Sequence, residues 1–239
     1  MKFGVVQFPG SNCDADCYYA VTDVTKHEAR YVWHEETDIS DIDCIILPGG
    51  FSYGDYLRCG AVARFSPVMA EIVKHACNGK FVIGICNGFQ ILTESNLLPG
   101  ALYRNDHLKF ICKPQYLKVV NNNIPFTHLY NKDEVVNFPI AHGEGRYFAD
   151  NNLIAELEDN NQVVFRYCDE TGDVSAEANP NGSLNNIAGI CNRSGNVLGL
   201  MPHPERYADR ILGGRDGKKV FKGILEAMKL NNIARGFNK

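Results

Sequence analysis

The sequence predicts an α/β protein: a parallel sheet flanked by helices, with an additional small antiparallel β patch. Two observations carry this. Short apolar runs alternate with helix-period segments over the first hundred residues, and two of the runs close on Pro48-Gly49-Gly50 and on Gly84–Gly88. Beyond them, strand-like runs follow one another with few helical segments between, the pattern of antiparallel neighbours.

Taken in order, Lys2–Phe8 reads as a first apolar strand. Asn12 is a candidate cap for a helix with Cys17, Ala20, Val21 and Val24 on one face. Arg30–Trp33 and Cys44–Leu47 read as strands. Ser66-Pro67 is a helix start, a capping hydroxyl followed by proline in the first turn, and Met69, Ile72, Val73 and Ala76 repeat at helical spacing behind it. Lys80–Ile85 is the next strand and Asn87–Glu94 the helix that leaves it. Alternation of this kind builds a doubly covered, flavodoxin-like sheet, and ligands of such sheets sit at the carboxyl ends of the strands.

The middle of the chain reads differently. Leu108–Cys112, Tyr116–Val120 and Glu134–Ile140 are predicted strands, and asparagine-rich stretches at 121–123, 151–152 and 179–182 read as loops. Leu153–Leu157 is a helical turn or two, Gln162–Tyr167, Ile187–Ile190 and Val197–Leu200 are strands, and Lys218–Leu230 is a final amphipathic helix. No repeat or linker divides the chain, so residues 1–239 are expected to form one domain.

Composition narrows the function. The 239 residues are 45% hydrophobic and 22% charged, with a formal net charge of −4, and no block of lysine and arginine suggests a nucleic-acid surface. No apolar run approaches the ~18 residues of a membrane helix. Nine cysteines without framework spacing suit a reducing compartment, so a cytoplasmic location is expected. Neither a CxxC pair nor HExxH is present, and no metal site is expected.

Two motifs carry chemistry. Gly84-Ile85-Cys86-Asn87-Gly88 reads as a nucleophile elbow, a sharp strand-to-helix turn that small residues permit and that exposes a thiol. The helix behind Cys86 presents its positive end to a thiolate. Met201-Pro202-His203-Pro204-Glu205 can supply a base and the acid that orients it. Residues before proline are extended, so His203 and Glu205 share a side, and a bend after Pro204 is needed to bring the carboxylate onto the ring. Cys86, His203 and Glu205 are the candidate catalytic residues. The backbone N–H groups of Asn87 and of Gly50 or Phe51 are the candidate oxyanion donors. Taken singly, each motif also has an ordinary reading: a packing cysteine, a rigid Pro-His-Pro turn, a glycine turn. Their joint placement at predicted strand ends favours acyl transfer.

Gly84–Gly88 with His203-Pro204-Glu205 resembles the triad (class I) glutamine amidotransferases. Longer blocks at 8–14, 47–60, 84–90, 140–145 and 199–205 resemble the branch that serves purine synthesis. The resemblance implies that Cys86 attacks the side-chain amide of glutamine, that a γ-glutamyl thioester forms, and that ammonia passes to a separate synthetase subunit. That partner converts formylglycinamide ribonucleotide to its amidine, uses ATP and magnesium, and works with a small accessory subunit. The chain's own Gly217-Lys218 lacks the first glycine and the Ser/Thr of a phosphate loop, so no cofactor is expected on this chain. Gln90, Arg58 and His142 are candidate glutamine-binding residues on the same basis, and Asp55 and Glu144 lie in the same blocks. A glutaminase for another ammonia-using synthetase and a non-catalytic docking subunit are the alternative readings.

Overall fold

The computed structural model describes the backbone of residues 1–236 and the side chains of residues 1–230. The strands are β1 (Lys2–Gln7), β2 (Glu28–Trp33), β3 (Cys44–Leu47), β4 (Phe81–Ile85), β5 (Ala101–Tyr103), β6 (Ile111–Val119), β7 (Val135–His142), β8 (Arg146–Phe148), β9 (Val163–Tyr167), β10 (Ile187–Cys191) and β11 (Val197–Leu200). The α-helices are α1 (Asp14–Tyr19), α2 (Pro67–Cys77), α3 (Asn87–Glu94), α4 (Asn151–Asp159) and α5 (Lys218–Gly236).

Nine strands form one sheet in the order β2-β1-β3-β4-β11-β10-β9-β6-β7. The first five are mutually parallel, which is the flavodoxin-like order with β11 as the fifth strand. Every residue of β3, β4 and β11 is buried. Strands covered on both faces carry such unbroken apolar runs, with no polar face to alternate. The other four strands pair antiparallel. They extend the main sheet, and among the described residues only β5 and β8 stand apart as a two-stranded sheet. β7 shows the alternation of a sheet with one buried face, with Val136, Phe138, Ile140 and His142 inward. The predicted runs 108–112 and 116–120 merge into β6, which starts only at Ile111.

Local chemistry sets the helix starts only in part. Pro67 sits in the first turn of α2 and Ser66 holds the position before it, but the expected capping bond is not made: the Ser66 hydroxyl pairs with Tyr53 Oη at 2.8 Å. Asn12 does not cap the first helix: Cys13 holds that position without a side-chain cap, and α1 runs on into a π turn at Ala20–Val24. α3 lies very close to the sheet. A Cβ on Gly84 would sit 2.5 Å from the Gly88 carbonyl oxygen, one on Gly88 2.0 Å from that of Leu47, and one on Gly199 2.2 Å from the Phe89 ring. The elbow glycines are therefore a condition for seating the helix that follows the cysteine. The carboxyl ends of β1, β3, β4, β11 and β7 converge on one region, where the chemistry-bearing residues lie.

Candidate functional site

Cys86 stands between β4 and α3 with φ 51° and ψ −106°. A β-carbon residue is strained at positive φ, and such strain concentrates at functional positions. The turn is held because the Cys86 N–H donates to the Leu200 carbonyl on β11 at 2.8 Å, while the Cys86 carbonyl accepts from the N–H groups of Phe89 and Gln90. The sulfur lies 3.6 Å from the Ala141 carbonyl at the end of β7.

His203 leaves β11 and is anchored across the sheet by its N–H, which donates to the Pro139 carbonyl of β7 at 2.8 Å. A 3-10 turn at Pro204–Tyr207 supplies the expected bend. It brings Glu205 Oε1 to 2.6 Å from His203 Nδ1, with both side chains buried. With Nδ1–H donating to the carboxylate, Nε2 carries the free lone pair of the neutral ring. That nitrogen is buried without a hydrogen-bond partner of good geometry, and the two nearby sulfurs are Cys86 and Cys13. Burial works against a charged ring here, but the Glu205 carboxylate and the Cys86 sulfur outweigh it and hold His203 well above the ordinary imidazole range. A Cβ on Gly49 would lie 2.8 Å from His203 Cε1, 3.0 Å from Cys13 Sγ and 3.4 Å from Cys86 Cβ. Three reactive side chains thus converge on one bare backbone position at the end of β3.

A cavity of about 190 Å³ opens beside Cys86. Its wall includes Gly50, Asp55, Cys59, Gln90, Phe110 and His142. Asp55 Oδ1 is buried without a partner. Burial raises the Asp55 carboxyl, and the nearby Glu144 charge adds to this while Cys59 opposes it. Burial and the same two carboxylates push the Cys59 thiol far up.

Asn105, behind the cavity wall, holds His142. Its Nδ2 donates to the carbonyls of Lys109 and His142, so its Oδ1 faces His142 Nδ1 at 3.1 Å and accepts from the Gly145 N–H. The His142 proton therefore sits on Nδ1, and the buried Nε2 is left as a bare acceptor. Burial, then the charge on His203, push His142 down to about 3, so its ring is neutral at physiological pH.

The structure sorts the remaining sequence-predicted residues. The Asn87 N–H opens α3, where helix amides lack an internal acceptor. Gly50, at φ 148°, pairs as an isolated bridge with Ser11, and a Cβ there would fall 2.8 Å from the Asn12 nitrogen. The Phe51 N–H is not a free donor: it is bound to the Gly10 carbonyl at 3.0 Å. That leaves the Gly50 and Asn87 N–H groups as the candidate oxyanion donors. Gln90 is tied at both ends, accepting from Asn87 Nδ2 at 2.9 Å and donating to the Glu144 carbonyl at 2.7 Å, so it braces the wall of the cavity. Arg58 does not reach the cavity. It forms a two-pronged pair with Glu94 at 2.5 and 2.7 Å, because the turn carrying it faces α3. Sequence reasoning missed Phe110, which carries no local signal, and gave no role to Cys59, Ala141 and Cys13 although the blocks that hold them stood out.

A family model described as a CobB/CobQ-like glutamine amidotransferase domain matches residues 1–219, and the chain belongs to that family. It is 62% identical over 226 residues to the phosphoribosylformylglycinamidine synthase subunit PurQ of Nostoc sp., covering 95% of this chain and 97% of the relative. The corresponding PurQ subunit of Moorella thermoacetica is 57% identical over 226 residues, covering 95% and 96%. Among solved structures, PurLQS from Thermotoga maritima superposes with a TM-score of 0.84 at 49% identity, covering 95% of this chain and 98% of that one. Within its family the chain falls with the glutaminase subunits of phosphoribosylformylglycinamidine synthase. Among the described residues no helix is long and apolar enough to cross a membrane.

Proposed function

We propose that Cys86, His203 and Glu205 hydrolyse glutamine and that the ammonia feeds the synthetase step of purine synthesis. The observation that carries the proposal is the buried His203–Glu205 pair, 2.6 Å apart, meeting the elbow cysteine at the bare Gly49 backbone. The Cys86 proton moves to His203 Nε2, and the sulfur attacks the side-chain carbonyl carbon of glutamine. The oxyanion is received by the Gly50 and Asn87 N–H groups. Collapse breaks the carbon–nitrogen bond while His203 returns the proton to nitrogen, so ammonia leaves and a γ-glutamyl thioester remains. Water, deprotonated by His203, then attacks the thioester and releases glutamate and the thiol. Glu205 fixes the tautomer and faces the charge on the ring throughout.

The cavity explains how glutamine is oriented. The unpartnered Asp55 oxygen is an acceptor that suits the α-ammonium group of a free amino acid, with the Glu144 carboxylate, itself paired with Arg104 at 3.5 Å, beside it. His142 Nε2 accepts a hydrogen bond from the bound substrate.

Ammonia in neutral water is mostly ammonium and does not attack, so a sheltered transfer to a partner is needed. The relatives are named as subunits of phosphoribosylformylglycinamidine synthase, and PurLQS is a solved complex of this kind. On the reading proposed here the acceptor is a synthetase subunit that uses ATP and magnesium to convert formylglycinamide ribonucleotide to the amidine, with an accessory subunit beside it. The chain acts there as one glutaminase domain in the cytoplasm. The test is glutamate release with and without the synthetase, the accessory subunit, ATP and the nucleotide substrate. Activity that rises in the full mixture supports the reading. No glutamate release under any condition sinks it, and equal release everywhere removes the coupling.

A further inference from the structure

The motif Phe8–Asp14 ends in Cys13, a buried thiol with no place in the hydrolysis described above. Its sulfur, one His203 ring nitrogen and one Glu205 oxygen all lie within 4.8 Å of one another. Its backbone is fixed at the same point as the rest of the site, because the Cys13 N–H donates to the Gly49 carbonyl at 3.1 Å. Two polar groups hold the sulfur. Arg206 Nη2 donates to it at 3.0 Å, and the thiol donates toward Asn12 Oδ1 at 3.4 Å. Arg206 is itself held by Asp16, at 3.3 Å from its Nε. The guanidinium lies against the sulfur and His203 is hydrogen-bonded to Glu205, so a cation at this trio would have to displace both contacts.

We infer that Cys13 is a positioning residue of the glutaminase site, holding the His203 imidazole over Cys86 through a sulfur anchored by Arg206. The inference rests on the reading of Cys86, His203 and Glu205 given above. The physical reason is that the imidazole has one strong tether, Glu205, on one nitrogen, and a ring with one tether can still rock about it. A polarizable sulfur beside the ring limits that rocking and, by interacting with the ring, favours its charged form. Other charged or titratable groups also face the ring or its partners: Glu205 and Arg206 on its own segment, Cys86 on the elbow, Asp16 and Cys17 on α1, and His142 on β7. A Cys13 effect must therefore be read as a difference between variants.

The test uses the assembled complex, with glutamate release measured against pH for Cys13→Ala and Cys13→Ser. Alanine is expected to lower kcat about tenfold, the scale of one lost interaction at a reacting group, with little change in KM. It should also move the alkaline limb of kcat/KM to lower pH, since that limb reports loss of the proton that Cys86 and His203 share and that the leaving nitrogen needs. Serine keeps a small polar acceptor for Arg206 and is expected to recover most of both effects. Alkylation of Cys86 by a glutamine-mimicking electrophile provides a second reading, slowed in Cys13→Ala and recovered in Cys13→Ser. If Cys13→Ala assembles normally with the parent kcat and alkaline limb, the inference is overturned. It is equally overturned if both variants lose kcat alike with the limb unmoved, because that marks a packing role. Should alanine fail to fold, a serine variant that folds without holding the parent profile has the same force. Loss of glutamate release by Cys86→Ala, in the same assay, keeps failure of this inference distinct from failure of the underlying site.

Discussion

His203 Nδ1 and Glu205 Oε1 lie 2.6 Å apart although a single proline separates the two residues. In an ideal strand such neighbours share a side but stand nearly 7 Å apart, given a rise of about 3.3 Å per residue. The 3-10 turn that begins at Pro204 closes that gap. The acid is thus supplied by the same short segment as the base, and the pair is carried as a unit by the end of β11. Replacing His203 with alanine should cost roughly 10–100-fold more glutaminase activity than Glu205→Gln, because the base moves protons while the acid only orients it. Single-turnover kinetics of thioester formation measure the ranking, and a reversed order would exchange the roles.

Cys86→Ala removes the nucleophile without enlarging any neighbour. Glutamine-dependent synthesis by the complex should disappear, whereas synthesis driven by added ammonium salt should remain. Loss of both would mean that position 86 serves assembly and not chemistry.

Asp55→Asn is isosteric and removes one negative charge from the cavity beside Cys86. KM for glutamine should rise by about tenfold, with kcat changed far less, since an ammonium contact of ~1–2 kcal/mol is made equally in the ground and transition states. N-acetylglutamine, which lacks the ammonium, should be a poor substrate for the parent and should lose little further activity in the variant. A variant that discriminates between the two as the parent does would place the ammonium elsewhere.

Stability should fall as the solution is acidified from neutrality. Burial, followed by Lys80, lowers His75 to about 4, and His142 lies at about 3. Unfolded histidines take up protons near pH 6.5, so between about 6.5 and 4 the unfolded state binds more protons than the folded one. Each ring then contributes up to about 1.4 kcal/mol of lost stability per pH unit. His203 has the opposite sign: its raised value gives stability that is full below about 6.5 and lost as pH rises through the folded value. Denaturant midpoints of the parent and His75→Asn between pH 7.5 and 4.5 isolate one share. Parallel curves would mean that His75 is protonated in the fold.

What could be read from the sequence was local. The elbow shows because its strand, its two small residues and its helix are contiguous, and His203 with Glu205 shows because the prolines restrict their own neighbours. The parallel half follows from unbroken apolar runs in β3 and β4. Relationships across the sheet were hidden. Nothing near Arg58 announces that Glu94 will take its guanidinium, and nothing near Phe51 announces that Gly10 will take its N–H. The asparagine-rich stretch at 179–182 reads as a loop and is one, but the sequence says nothing of its burial. Asn181 is fully buried, donating to the Gly145 carbonyl at 2.8 Å and steadying the turn that carries His142 and Glu144. A buried amide and a loop amide have the same letter, and only the fold distinguishes them.

The bare backbone at Gly49, Gly84 and Gly88 has a consequence for how this protein can vary. None of the three carries a reactive atom, yet at each a methyl group would meet a neighbour at 2.8 Å or less: the imidazole at 49, backbone oxygens at 84 and 88. In a map of tolerated replacements these positions would look as intolerant as the nucleophile itself, so intolerance alone would not separate the residues that react from those that make room.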